Sequence, residues 1–324
     1  MSLSRLSDAV QTYIKDFECA FLELEGVENM SRRTTAFVDS TVERVNDCDL
    51  SRLHAGLDSS SSSTETGMTA STLVRSQQVP ILVLLGAPGA GKTMILRHVA
   101  YTLACCCDNG YDNEDKVAPF RIPLLLNLSE FIRSLRGEQR VSLVDHVVNV
   151  GCMGKPVDRD MLLALLEGAL KGIRYAGVTL LLDGIDQVTD VPLRHQLHAA
   201  ILDLVRVYPG TRVIMASRIM GATLFPDQIE IRHHYYSVLP FTDSQRRLFI
   251  ESVTNNVNQT ERLTATISQS CMLSDLSRNP LMLSLLCALN RESNLPTTRA
   301  NLCQRCADLL IDRCPKDVAR QDAS

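Results

Sequence analysis

The sequence has no surplus of positive charge and no long hydrophobic run. Its 33 lysines and arginines against 37 aspartates and glutamates leave a formal net charge of −4 and a pI near 6.0. A small negative net charge gives no overall attraction to nucleic acid or to an anionic membrane. No run of about 18 apolar residues occurs, and the start, MSLSRLSDAV, lacks the parts of a signal peptide. We therefore expect a soluble, cytoplasmic protein with no membrane or nucleic-acid partner.

The eleven cysteines do not follow a pattern typical of disulfides or of a zinc site. A chain without a signal peptide is expected in a reducing compartment, where thiols stay free. Cys303 and Cys306 form one C-x-x-C pair, but the second pair that a zinc site needs is missing. The chain has 324 residues, 45% of them hydrophobic, and is long enough to bury a large core. We expect its cysteines to be structural thiols.

The N-terminal segment predicts a helix with one apolar stripe. Apolar or small residues recur at steps of three and four at Leu3, Leu6, Val10, Tyr13, Phe17, Ala20 and Leu24. This stripe could pack on the body of the same chain or on another chain, either a second copy or a longer related protein. The serine-rich stretch DSSSSSTETG, residues 58–67, then indicates a mobile linker.

Short apolar runs alternate with helix-length segments in the middle of the chain. The predicted strands are ILVLL, IPLLLNL, VTLLLD, RVIMAS and YYSVL. Such alternation is typical of a parallel sheet covered by helices, and so predicts an α/β fold. After Pro240 the segments TDSQRRLFIESV, LSDLSRNPLMLSLLCALN and NLCQRCADLLIDRC each predict a helix. The predicted parts are an N-terminal helical segment (1–57), a Ser-rich linker (58–72), a nucleotide-binding core (73–240) and a helical subdomain (241–324).

A glycine-rich loop follows the first of these strands. GAPGAGKT, residues 86–93, satisfies G-x-x-x-x-G-K-[ST], the pattern whose backbone N–H groups surround the phosphates of a nucleotide. Lys92 would reach the β- and γ-phosphates, and Thr93 would place its hydroxyl on Mg²⁺. A chance glycine-rich turn is the alternative, but the strand before the loop and the helix after it favour the phosphate site. The predicted nucleotide-binding residues are Gly86, Ala87, Pro88, Gly89, Ala90, Gly91, Lys92, Thr93 and Met94.

Two other strands end in charged residues. Asp183 ends an apolar strand, and Asp186 and Gln187 follow it within LLLDGIDQV. Carboxylates at the carboxyl end of a strand face the crevice where α/β sheets bind ligands, so Asp183 is the candidate for holding Mg²⁺ through water. Its alternative role is to cap the next helix. Arg218 ends RVIMASR and reaches the γ-phosphate only if its strand lies beside that of the loop; otherwise it forms a surface ion pair.

Four motifs together resemble the NACHT domains of the STAND class of signalling P-loop NTPases. They are GAPGAGKT, LLLDGIDQV, YPGTRVIMASR and NPLMLSLLCAL, in this order over roughly residues 80 to 312. The resemblance implies a P-loop NTPase fold with a parallel five-stranded sheet between helices, and ATP or ADP with Mg²⁺ as ligands. It places the Arg218 strand between those of the phosphate loop and Asp183, which makes Arg218 a nucleotide sensor. It also implies that Pro280 packs on the adenine, whereas a proline that merely starts a helix is the plain alternative.

The sequence departs from the family pattern at Gln187, where a glutamate is usual. A glutamine cannot accept a proton from attacking water but can orient it, so Asp186 inherits any general-base role. Asp186, Gln187 and Arg218 are thus the candidate catalytic residues. No winged-helix domain, sensor repeats or effector domain is recognisable in the sequence, so the chain could be a fragment, a minimal switch or a regulator of longer relatives.

The function that these features predict is an ATP-binding switch with slow hydrolysis that controls conformation and self-association. A nucleotide-binding interaction module without meaningful hydrolysis is the main alternative. A metabolic P-loop enzyme with fast turnover is disfavoured by Gln187 and by the family resemblance.

Overall fold

The computed structural model describes two compact units of the chain. One holds the described residues of 39–88 and 92–239, and the other those of 37–38, 89–91 and from Pro240 onward. The predicted stripe from Leu3 to Leu24 lies outside the described residues, as does most of the predicted linker at 58–72. The structure describes residues 37–45, 68–76, 79–108, 120–135, 142–150, 157–167, 175–188, 190–218, 231–254, 256–292 and 295–312.

The described strands of the first unit form one seven-stranded sheet in the order β2-β1-β7-β3-β6-β5-β4. The five strands from β7 to β4 run parallel, whereas β1 pairs antiparallel with β7 and with β2. The strands are β1 (Thr41–Val45), β2 (Met68–Thr69), β3 (Ile81–Leu85), β4 (Phe120–Asn127), β5 (Tyr175–Asp183), β6 (Arg212–Ser217) and β7 (His233–Val238).

The five parallel strands confirm the predicted α/β core, and the sheet is wider than predicted. The strand β1 falls in the segment 1–57, which we expected to be helical, and β2 falls in the expected linker 58–72. Hydrophobic periodicity does not reveal them, because β2 has two residues and the outer strand β1, TVERV, has only two fully buried ones.

The strands β3 and β6 form the centre of the core. Every residue of β3 has an exposed fraction of 0% although successive side chains point to opposite faces, so both faces of the sheet are covered. The covering helices are α1 (Ala70–Ser76), α2 (Lys92–Asp108), α3 (Leu128–Leu135), α4 (Leu143–Val150), α5 (Arg159–Leu166) and α6 (Val191–Val207). In the described part of the chain no helix is long and apolar enough to cross a membrane.

The second unit is built from helices around its own apolar core. They are α7 (Asp243–Thr254), α8 (Val257–Ser268), α9 (Cys271–Ser277), α10 (Pro280–Glu292) and α11 (Arg299–Asp312). Their core includes Leu263, Leu283, Leu286 and Leu302, each with an exposed fraction of 0%.

Our prediction of one helix through LSDLSRNPLMLSLLCALN was wrong, because the segment forms two helices, α9 and α10. The Asn279 Oδ1 atom accepts hydrogen bonds from the N–H groups of Leu281 (3.0 Å) and Met282 (3.2 Å). Asn279 therefore caps α10, and Pro280 occupies the first helical position, where its missing N–H has no cost. The aspartate, asparagine and serine caps of α6, α8 and α9, respectively, use the same device.

Candidate functional site

The predicted phosphate loop connects β3 to α2. Gly89 has φ 75° and Gly91 has φ 86°, in the left-handed region that favours glycine. A Cβ atom added to Gly89 would lie 2.7 Å from the Asn279 Oδ1 atom, too close for any other residue. Both the conformation of Gly89 and the space around it therefore require a glycine.

Lys92 directs its ammonium group into this loop. Its Nζ atom donates to the carbonyl oxygens of Gly86 at 2.7 Å and Ala87 at 3.0 Å. Burial lowers the pKa of Lys92, while the nearby carboxylates of Asp186 and Asp183 act in the opposite direction. The charge that would face a bound phosphate is thus held in place by the loop's own backbone before any ligand arrives.

Thr93 and Asp183 meet although 90 positions separate them in the sequence. The Thr93 Oγ1 atom donates to the Asp183 Oδ2 atom at 2.8 Å. Asp183 ends β5, and Thr93 lies in the first turn of α2, which follows β3. Because β3 and β5 both pair in parallel with β6, their carboxyl ends lie at the same edge of the sheet. One hydroxyl and one carboxylate oxygen form the kind of oxygen donor set that Mg²⁺ takes. Among the described residues no three acidic, cysteine or histidine side chains cluster as a metal site, so water and phosphate oxygens would complete the shell.

Arg218 and Asp186 form an ion pair at the same edge of the sheet. The Arg218 Nε atom lies 2.7 Å from the Asp186 Oδ2 atom. Gly184 adopts φ 81° directly after β5, and this left-handed turn starts the short 3₁₀ helix Ile185–Gln187 that carries Asp186. The Asp186 side chain is 17% exposed and the Arg218 side chain 59% exposed, so the arginine borders open solvent.

The strand order settles a condition that the sequence left open for Arg218. Its strand, β6, pairs with β3 on one side and β5 on the other, so it lies between the strands of the loop and of Asp183. This is the arrangement that the family resemblance implied. The alternative role of Arg218, a surface ion pair, is also observed, because Arg218 pairs with Asp186. This pair lies beside the phosphate loop.

Sequence analysis missed Ser217, which links the loop to Arg218. Its carbonyl oxygen accepts the Gly86 N–H at 3.2 Å, and its hydroxyl donates to the Arg218 carbonyl oxygen at 3.0 Å. The side chain has an exposed fraction of 0%. A small polar residue at the end of the otherwise apolar run RVIMAS was the available signal.

The second unit holds the tip of the loop together with Pro280. The Leu281 N–H donates to the Gly89 carbonyl oxygen at 3.2 Å, and an added Gly91 Cβ would lie 3.9 Å from the Pro280 Cγ atom. Pro280 is therefore a neighbour of the loop tip and also a helix-start proline. Its packing on an adenine stays a prediction.

The remaining predicted residues differ in exposure. Gly86 and Ala90 are buried, whereas Ala87, Pro88 and Met94 are exposed. Gln187 ends the 3₁₀ helix next to Asp186, and its side chain lies outside the described part of the structure. In the first unit the fold thus brings together Lys92, Thr93, Asp183, Asp186 and Arg218 from three separate stretches of sequence.

A family model for the NACHT domain matches residues 80–256, more than half of the chain. No curated protein sequence matches this chain. Among solved structures, domain III of the replication initiation protein DnaA from Thermotoga maritima is 14% identical with a TM-score of 0.38, covering 88% of this chain and 97% of that one. A Walker-type ATPase of Pyrococcus abyssi is 11% identical with a TM-score of 0.42, covering 74% and 70% of the two chains.

Proposed function

Because the chain belongs to the NACHT domain family of STAND-class P-loop NTPases, we propose that it is an ATP-binding signalling switch with slow hydrolysis. One observation carries the proposal beyond the family. Lys92, Thr93 and Asp183 meet at the carboxyl edge of the sheet, where Arg218 and Asp186 also lie. This group supplies a cation for phosphate, two oxygens for Mg²⁺ and a second cation beyond them.

The residues present fit a magnesium nucleotide. The loop N–H groups and the Lys92 ammonium would bind the phosphates, and the N-terminus of α2 adds its partial positive charge. Thr93 would bind Mg²⁺ directly and Asp183 would hold it through water. The bound ion would neutralise charge that develops on the phosphate oxygens during transfer. The 2.8 Å hydrogen bond between the two side chains supports a shared ion, because their oxygens already lie close together.

Hydrolysis should be slow because the position that usually supplies a carboxylate holds Gln187. A glutamine orients water but does not take its proton. Asp186 is then the remaining base, and in the structure one of its oxygens is held by Arg218. Gln187→Glu should raise the rate of phosphate release from ATP, while Gln187→Asn should not. If Gln187→Glu leaves the rate unaltered and Asp186→Ala abolishes it, Asp186 alone is the base.

The switch proposal differs from its main alternative in what nucleotide does to assembly. We expect ATP with Mg²⁺ to change the mass of the full chain in light scattering, with phosphate released slowly over the same period. An interaction module without hydrolysis would bind nucleotide and release no phosphate. A fast metabolic enzyme would turn over many times before any mass change.

The apolar stripe from Leu3 to Leu24 is the surface that we assign to self-association. Removing everything before residue 69 would also remove β1, which pairs with β7, so substitutions test the stripe better than truncation does. Val10→Ser with Phe17→Ser should abolish the mass response to ATP, while the control change Asp8→Ser, opposite the predicted stripe, should keep it. A chain that stays monomeric with every nucleotide would favour the simple binding module.

A further inference from the structure

The ion pair between Arg218 and Asp186 competes with the proposed nucleotide for the same cation. The Arg218 Nε atom is 2.7 Å from the Asp186 Oδ2 atom, so part of the guanidinium is occupied. The arginine side chain is 59% exposed and can swing away, whereas the 17% exposed aspartate is fixed on a 3₁₀ helix behind Gly184. Of the two partners, Arg218 is the one free to move.

Only the γ-phosphate of a nucleoside triphosphate would extend far enough to attract Arg218 away from Asp186. Lys92 is held in the loop by two neutral carbonyl oxygens, those of Gly86 and Ala87, so a diphosphate bound there need not displace a carboxylate from it. Arg218 lies on the neighbouring strand, one position beyond the register pair of Leu85 with Ser217. A ligand that stops short of Arg218 leaves the ion pair intact.

We propose that Asp186 is a specificity-determining residue that restrains Arg218, so that a nucleoside triphosphate must break their ion pair whereas a diphosphate does not. The inference rests on the proposed nucleotide site. Breaking the pair frees the Asp186 carboxylate at the moment when a γ-phosphate is present, which is when a base or water-orienting group is useful. The pair thus lowers triphosphate affinity and keeps the carboxylate occupied until substrate is bound.

The test is a double-mutant cycle on the full chain, read as the dissociation constants of ADP and of AMPPNP, a non-hydrolysable ATP analogue, both with Mg²⁺. Asp186→Asn should tighten AMPPNP binding by up to about fivefold, the range of a partly exposed ion pair. It should change ADP binding less, because for a diphosphate its charge acts only through Lys92. Arg218→Gln should weaken AMPPNP binding alone. In the Arg218→Gln background, Asp186→Asn should have no further effect.

The cycle separates competition from simple repulsion between Asp186 and the added phosphate. If Asp186→Asn tightens AMPPNP equally in the Arg218→Gln background, repulsion is the cause and the inference is wrong. An equal gain for ADP, or no gain, also overturns it. Asp190→Asn is the matched control, because it removes one carboxylate near the same edge and an asparagine still caps α6.

The outcome also distinguishes failure of the inference from failure of the proposed function. If neither ligand binds the unmodified chain, both fail. If both ligands bind and depend on Lys92, while the cycle shows no coupling, only the inference fails. Arg218→Lys is a second variant that retains the charge but loses the Nε contact, so it should raise AMPPNP affinity relative to Arg218→Gln.

Discussion

The two ends of strand β6 carry arginines with opposite characters. Arg212 begins the strand with an exposed fraction of 7%, and burial, followed by the nearby charge of Arg121, lowers its pKa to about 10. Arg218 follows the strand, is 59% exposed and pairs with Asp186. The same residue type is therefore packed at the amino end of the sheet and accessible at the carboxyl end.

The rest of the amino edge supports this contrast. The Arg121 Nη1 atom donates to the Gly210 carbonyl oxygen at 2.5 Å, and Gly177 packs against the same carbonyl. Parallel sheets bind ligands at the carboxyl ends of their strands, so the amino edge is left to hold the strands together. Substitutions at the carboxyl edge should therefore affect ligand binding, and substitutions at the amino edge should affect the free energy of unfolding.

The largest expected effect is at the carboxyl edge. With ADP and Mg²⁺ at a hundred times the dissociation constant, binding should stabilise the fold by about 2.7 kcal/mol, measured as a shift in thermal unfolding. Lys92→Ala should lose most of this shift. Arg97→Ala, which removes a cation from the same helix, should keep it. An unchanged shift in Lys92→Ala would contradict the role of the loop.

A change at the amino edge should have a comparable effect on stability alone. Gly177 has φ 125°, and an added Cβ would lie 2.8 Å from the Gly210 carbonyl oxygen. Gly177→Ala should therefore lower the free energy of unfolding by about 2 kcal/mol in denaturant titrations. The ADP dissociation constant of the folded variant should not change; a weaker affinity would show that the edges are coupled.

A smaller loss is expected for Arg121→Met, which keeps the apolar stem and removes the hydrogen bond to Gly210. The free energy of unfolding should fall by about 1 kcal/mol, because the exposed Gly210 carbonyl loses a charged hydrogen-bond donor. Arg133→Met on the exposed end of α3 is the matched control and should change little. Equal losses in the two variants would remove the structural role that we assign to Arg121.

Much of the core and of the phosphate loop could be predicted because their signals are local. The loop needs glycine where φ is positive, and Gly89 and Gly91 stand at those positions. The buried strands β3 and β6 were predicted with their observed bounds, since a strand covered on both faces must be apolar throughout. The domain boundaries and the roles of the site residues remain predictions.

Features that depend on contacts between distant residues could not be read from any local pattern. The strand β1 has few buried residues and is held by backbone pairing with β7, almost 200 positions later. The helix break before Pro280 depends on the Asn279 cap, which competes with continued apolar periodicity.

By itself the sequence determined the chemistry available to this protein: a phosphate loop, a lysine, a threonine and acidic strand ends. Only the tertiary structure decided which of them meet. Thr93 contacts Asp183, and Arg218 contacts Asp186, because strand order and register set the distances between strand ends. The physical reason is that residue type and local conformation are encoded in short windows, whereas pairing across a sheet depends on how the whole chain closes.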